Sequence, residues 1–317
     1  MKSDPILVTG AAGLIGGRLV SRLAADGADV IATDRRAAEA PPGVRWAAVD
    51  LLDAPALLSL MREAKVGAVV HAGAISGPMV AAGDPHQVMS VNVGGALNIA
   101  EAALRTGVER LVALSSAGVY GAQGTLDPVR EDAPLNATDI YGASKIAAEA
   151  VLRAYRHDHG LPAIALRPSS VYGPGRTTAC FIRDMIDHAR RSDPLKLAPD
   201  GACRRQFVHV DDVVAAILGA LNAPRFDHFA FNVSGGTWLS EQEIAARAAQ
   251  VLPGLRIASI AAPACCLDGE MGPLDTARAR AAFGFSPSIP LAEGIAAYAV
   301  TLRQGEGDQA ATGKLFA

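Results

Sequence analysis

Aromatic side chains are scarce in this 317-residue chain, at 5% of residues, and cysteine occurs at Cys180, Cys203, Cys265 and Cys266 alone. These cysteines have no CxxC spacing, so neither a zinc site nor a disulfide framework is indicated, and reduced thiols are expected. No uncharged apolar run approaches the length of a membrane span. A long basic stretch is also missing and the net charge is −3, which makes nucleic acid and anionic membrane surfaces poor partners. An anionic small molecule stays open, because one or two placed arginines are enough to hold it. The opening MKSDPILVTG reaches a glycine turn after one short apolar run, so it does not read as a signal peptide and a cytoplasmic protein is expected. No set of His, Asp and Glu residues suggests a metal.

What the chain does have is small and aliphatic: hydrophobic residues make up 50% of it, and there are 32 glycines. That mix suits helices packed closely on a parallel sheet. Apolar runs at Pro5–Thr9, Asp29–Thr33, Val44–Val49, Ala68–His71, Arg110–Leu114 and Ala163–Leu166 predict strands. Between them, helical periodicity marks Leu14–Ala25, Pro55–Ala64, a long stretch from His86 to Arg105, and Tyr141–His159. This alternation predicts an α/β fold, a doubly wound Rossmann-type parallel sheet. After Arg167 the rhythm breaks at Pro168, Gly173, Pro174 and Gly175. A helix near Ala179–Arg191, a strand Phe207–Val210 running into a helix at Asp211, and a strand Phe229–Val233 returning to the sheet follow. Ser240 and Glu243 form a capping-box pattern at the head of a helix to Val251, and a late helix spans Leu291–Leu302. The expected division is a dinucleotide-binding domain of residues 1–167 plus about 207–234. A smaller C-terminal α/β substrate domain takes 168–206 plus about 235–303, and a polar, Gly-rich tail occupies 304–317.

The first strand runs straight into Gly10, Gly13 and Gly16, a GxxGxxG spacing. Glycines there permit positive φ and close backbone approach, and the next helix aims its N–H groups at a pyrophosphate. Asp34 closes the second strand, where a carboxylate accepts both adenosine ribose hydroxyls and repels a 2′-phosphate. NAD is therefore favoured over NADP, although Arg35 and Arg36 follow at once and an arginine can hold that phosphate. Asp50 and Leu51 end the third strand, either touching adenine or, for Asp50, serving a helix start.

Tyr141 and Lys145 lie four apart in YGASK, on one face of a helix. An ammonium beside the phenol favours phenolate, and such a tyrosine can take the proton of a secondary alcohol while hydride leaves the same carbon. Ser115 and Ser116 end the fifth strand, where a hydroxyl could steady the reacting oxygen or satisfy local backbone. Strand carboxyl ends are where open α/β sheets keep their sites.

Together VTGAAGLIG, Asp34, DLLD at Asp50, HAGA at His71, NVGGALNIAEAA from Asn92, SSAGVYG, YGASK, LRPSSVYGPG and RQFVHVDD resemble the extended short-chain dehydrogenase/reductase family, the NAD-dependent sugar epimerase/dehydratase group. The resemblance implies a catalytic triad of Ser116, Tyr141 and Lys145. It implies a cofactor site of Gly10, Gly13, Leu14, Ile15, Asp34, Asp50, Leu51, Ala72, Asn92, Tyr141, Lys145 and Pro168. For the substrate it implies Ser76, Ser116, Ser170 and Arg205, and Arg176 could pair with a carboxylate or lie solvated at the surface. It also implies a homodimer built on the helices after Pro85 and from Tyr141.

Two departures bear on the substrate. Many nucleotide-sugar members carry Asn where Ser170 stands, and the segment after Gly175 lacks the usual VIPxF-like pattern. The expected function is an NAD-dependent hydride transfer at a secondary alcohol of a sugar or nucleotide sugar, with epimerisation favoured. A dehydrogenase of a free sugar, sugar acid or other small hydroxy substrate is the alternative, and a dinucleotide sensor without turnover is the reading from another class. Dehydration is disfavoured, since Ala117 and Gly118 stand where such enzymes carry Asp-Glu.

Overall fold

The computed structural model describes residues 4–36, 38–77, 80, 83–197, 204–259 and 271–313. In chain order the elements begin β1 (Ile6–Thr9), α1 (Leu14–Ala25), β2 (Val30–Asp34), β3 (Arg45–Ala48), α2 (Ala54–Ala64) and β4 (Ala68–His71). Then come α3 (Pro85–Met89), a π-turn at Ser90–Gly94, α4 (Gly95–Thr106), β5 (Arg110–Leu114), α5 (Ile140–His159), β6 (Ala163–Pro168) and β7 (Ser170–Tyr172). The later part contains α6 (Phe181–Arg191), β8 (Leu195–Leu197), β9 (Arg204–Arg205), β10 (Phe207–His209), α7 (Val210–Asn222) and β11 (Ala230–Val233). The chain closes with β12 (Leu239–Ser240), α8 (Glu241–Ala249), β13 (Ile257–Ser259), α9 (Ala277–Phe283) and α10 (Leu291–Gly313).

Seven strands form one parallel sheet in the order β11-β6-β5-β4-β1-β2-β3. The order reverses between β1 and β4, so the sheet is doubly wound as expected, with a switch point where β1 and β4 end side by side. One face is filled by Leu7, Ile31, Val69 and Leu111 against Leu57 and Met61 of α2 and Ile99 of α4, all essentially inaccessible. Such strands, covered on both faces, are why the sequence reads as near-continuous aliphatic runs.

The chain clusters into two compact units, Met1–Ser169 with Val213–Val233 and Asp268–Ser286, and Ser170–Asp212 with Ser234–Leu267 and Pro287–Ala317. Residues 271–286 belong to the first unit although their Pro-rich sequence suggested the second. Their backbone pairs with the loop after β5: Val129 N–H donates to Pro273 O at 2.8 Å, and Asp275 N–H donates to Val129 O at 2.9 Å. β10, expected with the dinucleotide domain, pairs instead with β7 of the second unit. The second unit has its own core of Tyr172, Ile182, Ile186, Phe207, Ile244 and Ile295. There the predicted capping box forms, with Glu243 N–H donating to Ser240 Oγ and Ser240 N–H to the Glu243 carboxylate.

Three local expectations change. The helix expected from His86 to Arg105 is interrupted by the π-turn that carries Asn92. β3 stops at Ala48, short of Asp50. The last helix continues past Leu302 to Gly313, where a loosely ordered tail from Gln304 was expected; 314–317 lie outside the described residues. Cys180 is a free thiol, and Cys203, Cys265 and Cys266 lie outside the described residues. No helix among the described residues is long and apolar enough to cross a membrane.

Candidate functional site

The glycine turn after β1 is built on contacts that exclude any side chain. Gly10 has φ +67°, and a Cβ there would lie 2.6 Å from the Gly73 backbone and 2.7 Å from the Ala72 carbonyl carbon. A Cβ on Gly16 would stand 2.1 Å from Gly10 O. The turn therefore lies flat between the end of β4 and the first turn of α1. Gly13 caps α1 in extended conformation with no side-chain hydrogen bond, and Leu14 and Ile15 open the helix. An uncapped helix start beside a bare glycine backbone is a cradle for a pyrophosphate, whose oxygens take the leading N–H groups.

Asp34 is held over this cradle. Its carboxylate accepts Ala12 N–H at 3.2 Å and Arg35 N–H at 2.8 Å. Each oxygen keeps a further lone pair, as a ribose diol requires. Asp50 does not cap α2, because Asp53 does, accepting Ala56 N–H at 3.0 Å. Asp50 instead accepts Leu52 N–H at 2.9 Å and shapes the turn that presents Leu51. The Leu51 side chain packs against Gly73 and Gly95, where Cβ atoms would approach it to 2.9 and 3.1 Å.

Beneath the cradle, Thr9 Oγ1 accepts Gly73 N–H at 3.1 Å and lies 2.9 Å from His71 Nδ1. Burial, and then the charge of Lys145, lower the His71 pKa to about 3, so the ring is neutral in ordinary buffers.

Ser116, Tyr141 and Lys145 converge at the carboxyl end of β5. A Cβ on Gly118 would lie 3.3 Å from Ser116 Oγ and 3.9 Å from Tyr141 Cε1, so both side chains border that glycine. Gly118 N–H donates to Ser116 Oγ at 3.0 Å, fixing the hydroxyl oxygen. Lys145 Nζ lies 5.9 Å from the centroid of the Tyr141 ring and donates to Leu114 O at 2.9 Å. The ammonium is buried, and desolvation lowers its pKa to about 8 against the opposing charge of Glu149. Asp139 starts α5 by accepting Gly142 N–H at 2.9 Å. Gly142 lets the helix close on the Ser116 turn, since a Cβ there would stand 2.8 Å from Gly118 O.

Other expected residues have different surroundings. The Asn92 side chain is spent within the chain: Oδ1 accepts Ile75 N–H at 2.8 Å, and Nδ2 donates to Ile75 O at 3.1 Å and Ser144 Oγ at 2.8 Å. It ties the Ile75 loop to the residue before Lys145, which is a structural duty. Ser76, next to that loop, is exposed, and Pro168 is buried at the end of β6. Within the second unit, Ser170 is exposed and its N–H donates to Gln206 O at 3.1 Å. Arg205 pairs with Glu241 at 2.6 Å and lies 5.4 Å over the Phe181 ring. Arg176 is half-buried. Its guanidinium donates to the carbonyls of Val171, Thr178 and Ala179 and so folds its own loop.

Sequence reasoning passed over Thr9, Gly118, Gly142, Glu149 and Arg167. Gly142 sits inside YGASK and could have been flagged as a helix glycine with a packing reason. Nothing local marks the buried pair of Glu149 and Arg167.

A model of the NAD dependent epimerase/dehydratase family matches residues 6–234. A UDP-glucose 4-epimerase of Mycolicibacterium smegmatis is 34% identical over 303 residues, 92% of this chain and 96% of the relative. A UDP-glucose 4-epimerase of Azospirillum brasilense is 35% identical over 240 residues, 69% of this chain and 68% of the relative. Among solved structures, MoeE5 in complex with UDP-glucuronic acid and NAD superposes with a TM-score of 0.82 at 32% identity, over 95% of this chain and 99% of that one.

Proposed function

This chain belongs to the NAD-dependent epimerase/dehydratase family, and on that premise we propose that it is an NAD-dependent 4-epimerase of a nucleoside-diphosphate hexose or hexuronic acid. The observation that carries the reading is the convergence of Ser116, Tyr141 and Lys145 on the end of β5, with only β4 between it and the strand that leads into the glycine cradle. Gly10, Gly13 and the start of α1 would hold the pyrophosphate of NAD, and Asp34 its adenosine ribose. Bound NAD supplies an acceptor that takes a hydride from the sugar carbon and gives it back.

The chain's own residues manage the proton and the charge. Tyr141 takes the proton of the sugar hydroxyl as the carbon is oxidised, and returns it on reduction. Lys145, charged below about pH 8, stabilises the phenolate. Ser116 donates to the same sugar oxygen while Gly118 N–H holds its Oγ. Ala117 and Gly118 bring no carboxylic acid to the site, which supports epimerisation over dehydration. In the second unit, Ser170 stands where many nucleotide-sugar members carry Asn, so the nucleotide would be held by other contacts.

We assign the working form to a homodimer in the cytoplasm. The exposed side of α5 carries a groove of about 510 Å³ in which Leu135, Ile146, Ala150 and Ala154 alternate with Glu149, Arg153, His157 and Asp158, and Leu97 of α4 is 43% exposed. A helix face that mixes apolar and charged groups in this way supports self-association.

The purified chain is tested by extracting its cofactor and incubating it with UDP-glucose and with UDP-glucuronic acid. Retained NAD, a C4-inverted product and no net rise at 340 nm are expected. Accumulating NADH would replace the reading with a dehydrogenase, and NAD binding without any product would leave a dinucleotide sensor.

A further inference from the structure

We propose that Glu149 is a positioning residue, whose buried carboxylate is the counter-charge one helical turn after Lys145 and fixes the ends of β5 and β6 against α5. Glu149 follows Lys145 by one helical turn on α5, so both face the same way. It is 2% exposed, Lys145 is 8% exposed and Arg167 is fully buried. Three elements meet at this one carboxylate. From β6, Arg167 Nε donates to Oε1 at 2.8 Å and Nη2 to Oε2 at 2.6 Å, a two-bond fork. From the end of β5, Ser115 Oγ donates to Oε1 at 2.5 Å. Ser115 precedes Ser116, and Arg167 precedes Pro168, so the carboxylate braces the backbone on both sides of the candidate site.

The brace continues inward. Arg167 Nη1 donates to Tyr120 Oη at 2.8 Å and to Glu131 O at 3.1 Å, and Tyr120 Oη donates to Asn232 Oδ1 at 2.6 Å. Asn232 N–H in turn donates to the Glu131 carboxylate at 2.9 Å. The charged and titratable groups around Lys145 are Tyr141 and Glu149 from its own helix and His71 from β4. His71 is neutral, so Glu149 is the negative charge that acts on the ammonium. Around Glu149 stand Arg167, Ser115 and the largely exposed Arg153, 3.9 Å away. Glu131 and Arg278 complete the outer ring at 3.4 Å from each other.

A buried pair that served packing alone could be exchanged for apolar or neutral groups without effect on Lys145. A carboxylate that holds a buried ammonium cannot, since its loss leaves desolvation unopposed. The two roles predict opposite movements. Loosening of the core would raise Lys145 toward the ordinary lysine value, whereas loss of the charge lowers it further.

The link to turnover rests on the reading of Lys145 in the proposed function, but the test needs no turnover, so the two fail separately. The sequence has five lysines, Lys2, Lys65, Lys145, Lys196 and Lys314, which makes a lysine-labelled spectrum simple to assign. The full-length chain is labelled with ¹³C at lysine Cε, the Lys145 signal is identified by its loss in Lys145→Arg, and its titration is followed by NMR. In Glu149→Gln the Lys145 midpoint should fall by about one pH unit. Glu149→Gln/Arg167→Met removes the guanidinium that the single variant strands, and should show a fall in the same direction, smaller because a buried cation is lost with the carboxylate, even where the single variant does not fold. An unmoved or raised Lys145 midpoint in the double variant would overturn the proposal.

Discussion

Lys145 Nζ donates to the Leu114 carbonyl at 2.9 Å, tying the first turns of α5 to the last residue of β5. One bond thus sets where the ammonium stands relative to Ser116, two residues further on. Because burial brings the Lys145 pKa down to about 8, the ammonium is lost within an accessible pH range. Activity, read as kcat/KM, should therefore decline as pH rises through about 8, when the phenolate of Tyr141 loses its counter-charge. Lys145→Met should lower kcat by about 100-fold or more and abolish this alkaline limb. A pH–rate profile of both proteins checks it.

Tyr141→Phe keeps the ring and removes the proton carrier. Turnover should fall by roughly 10²- to 10⁴-fold while extracted NAD content stays at the parent level. Full activity in the variant would refute the assigned mechanism. Ser116→Ala should cost about 10²-fold in kcat with a smaller change in KM.

Gly16→Ala places a Cβ where Gly10 O already stands, 2.1 Å away. The turn must shift, so NAD retention should be lost and folding stability should fall by about 1–3 kcal/mol. Gly83→Ala is the control, because a Cβ there meets nothing within 4 Å. Its stability should stay within about 0.5 kcal/mol of the parent in urea denaturation.

Asp34→Ser removes the carboxylate that Ala12 and Arg35 N–H groups hold above the cradle. Arg35 and Arg36 then face a ribose edge without a repelling charge. The ratio of NADP to NAD affinity should rise by about tenfold or more, as measured by calorimetric titration.

His71 makes the fold sensitive to acid. Its folded pKa is about 3 against the ordinary imidazole value of 6.5, so below pH 6.5 the unfolded chain takes up a proton that the folded chain refuses. Stability from this group is complete above pH 6.5 and is lost, at about 1.4 kcal/mol per pH unit, as pH falls toward 3. His71→Asn can still bond Thr9 and carries no titration. The difference in unfolding free energy between the two proteins should shrink or reverse from pH 7 to pH 4.5.

How much of this was written along the chain can be judged from particular residues. The strands, the glycine turn and the pairing of Tyr141 with Lys145 are local in sequence. Periodicity, turn chemistry and helical spacing act over a few residues, so the sequence alone determined the doubly wound sheet, the cradle and the helix that carries the tyrosine. Asp34 was legible for the same reason, because a strand end places it.

Tertiary structure decided the rest. Asn92 is bonded to Ile75 and Ser144, partners far from it in sequence that no local pattern announces. Arg176 looked free for a carboxylate and binds its own loop. Residues 271–286 joined the first unit through backbone bonds to Val129, which no composition signals. Glu149 and Arg167 meet across separate elements, and only burial turns that meeting into a charge that acts on Lys145. Local sequence fixes which backbone forms; desolvation and long-range pairing, which exist only once the chain has folded, fix which polar groups are left to do chemistry.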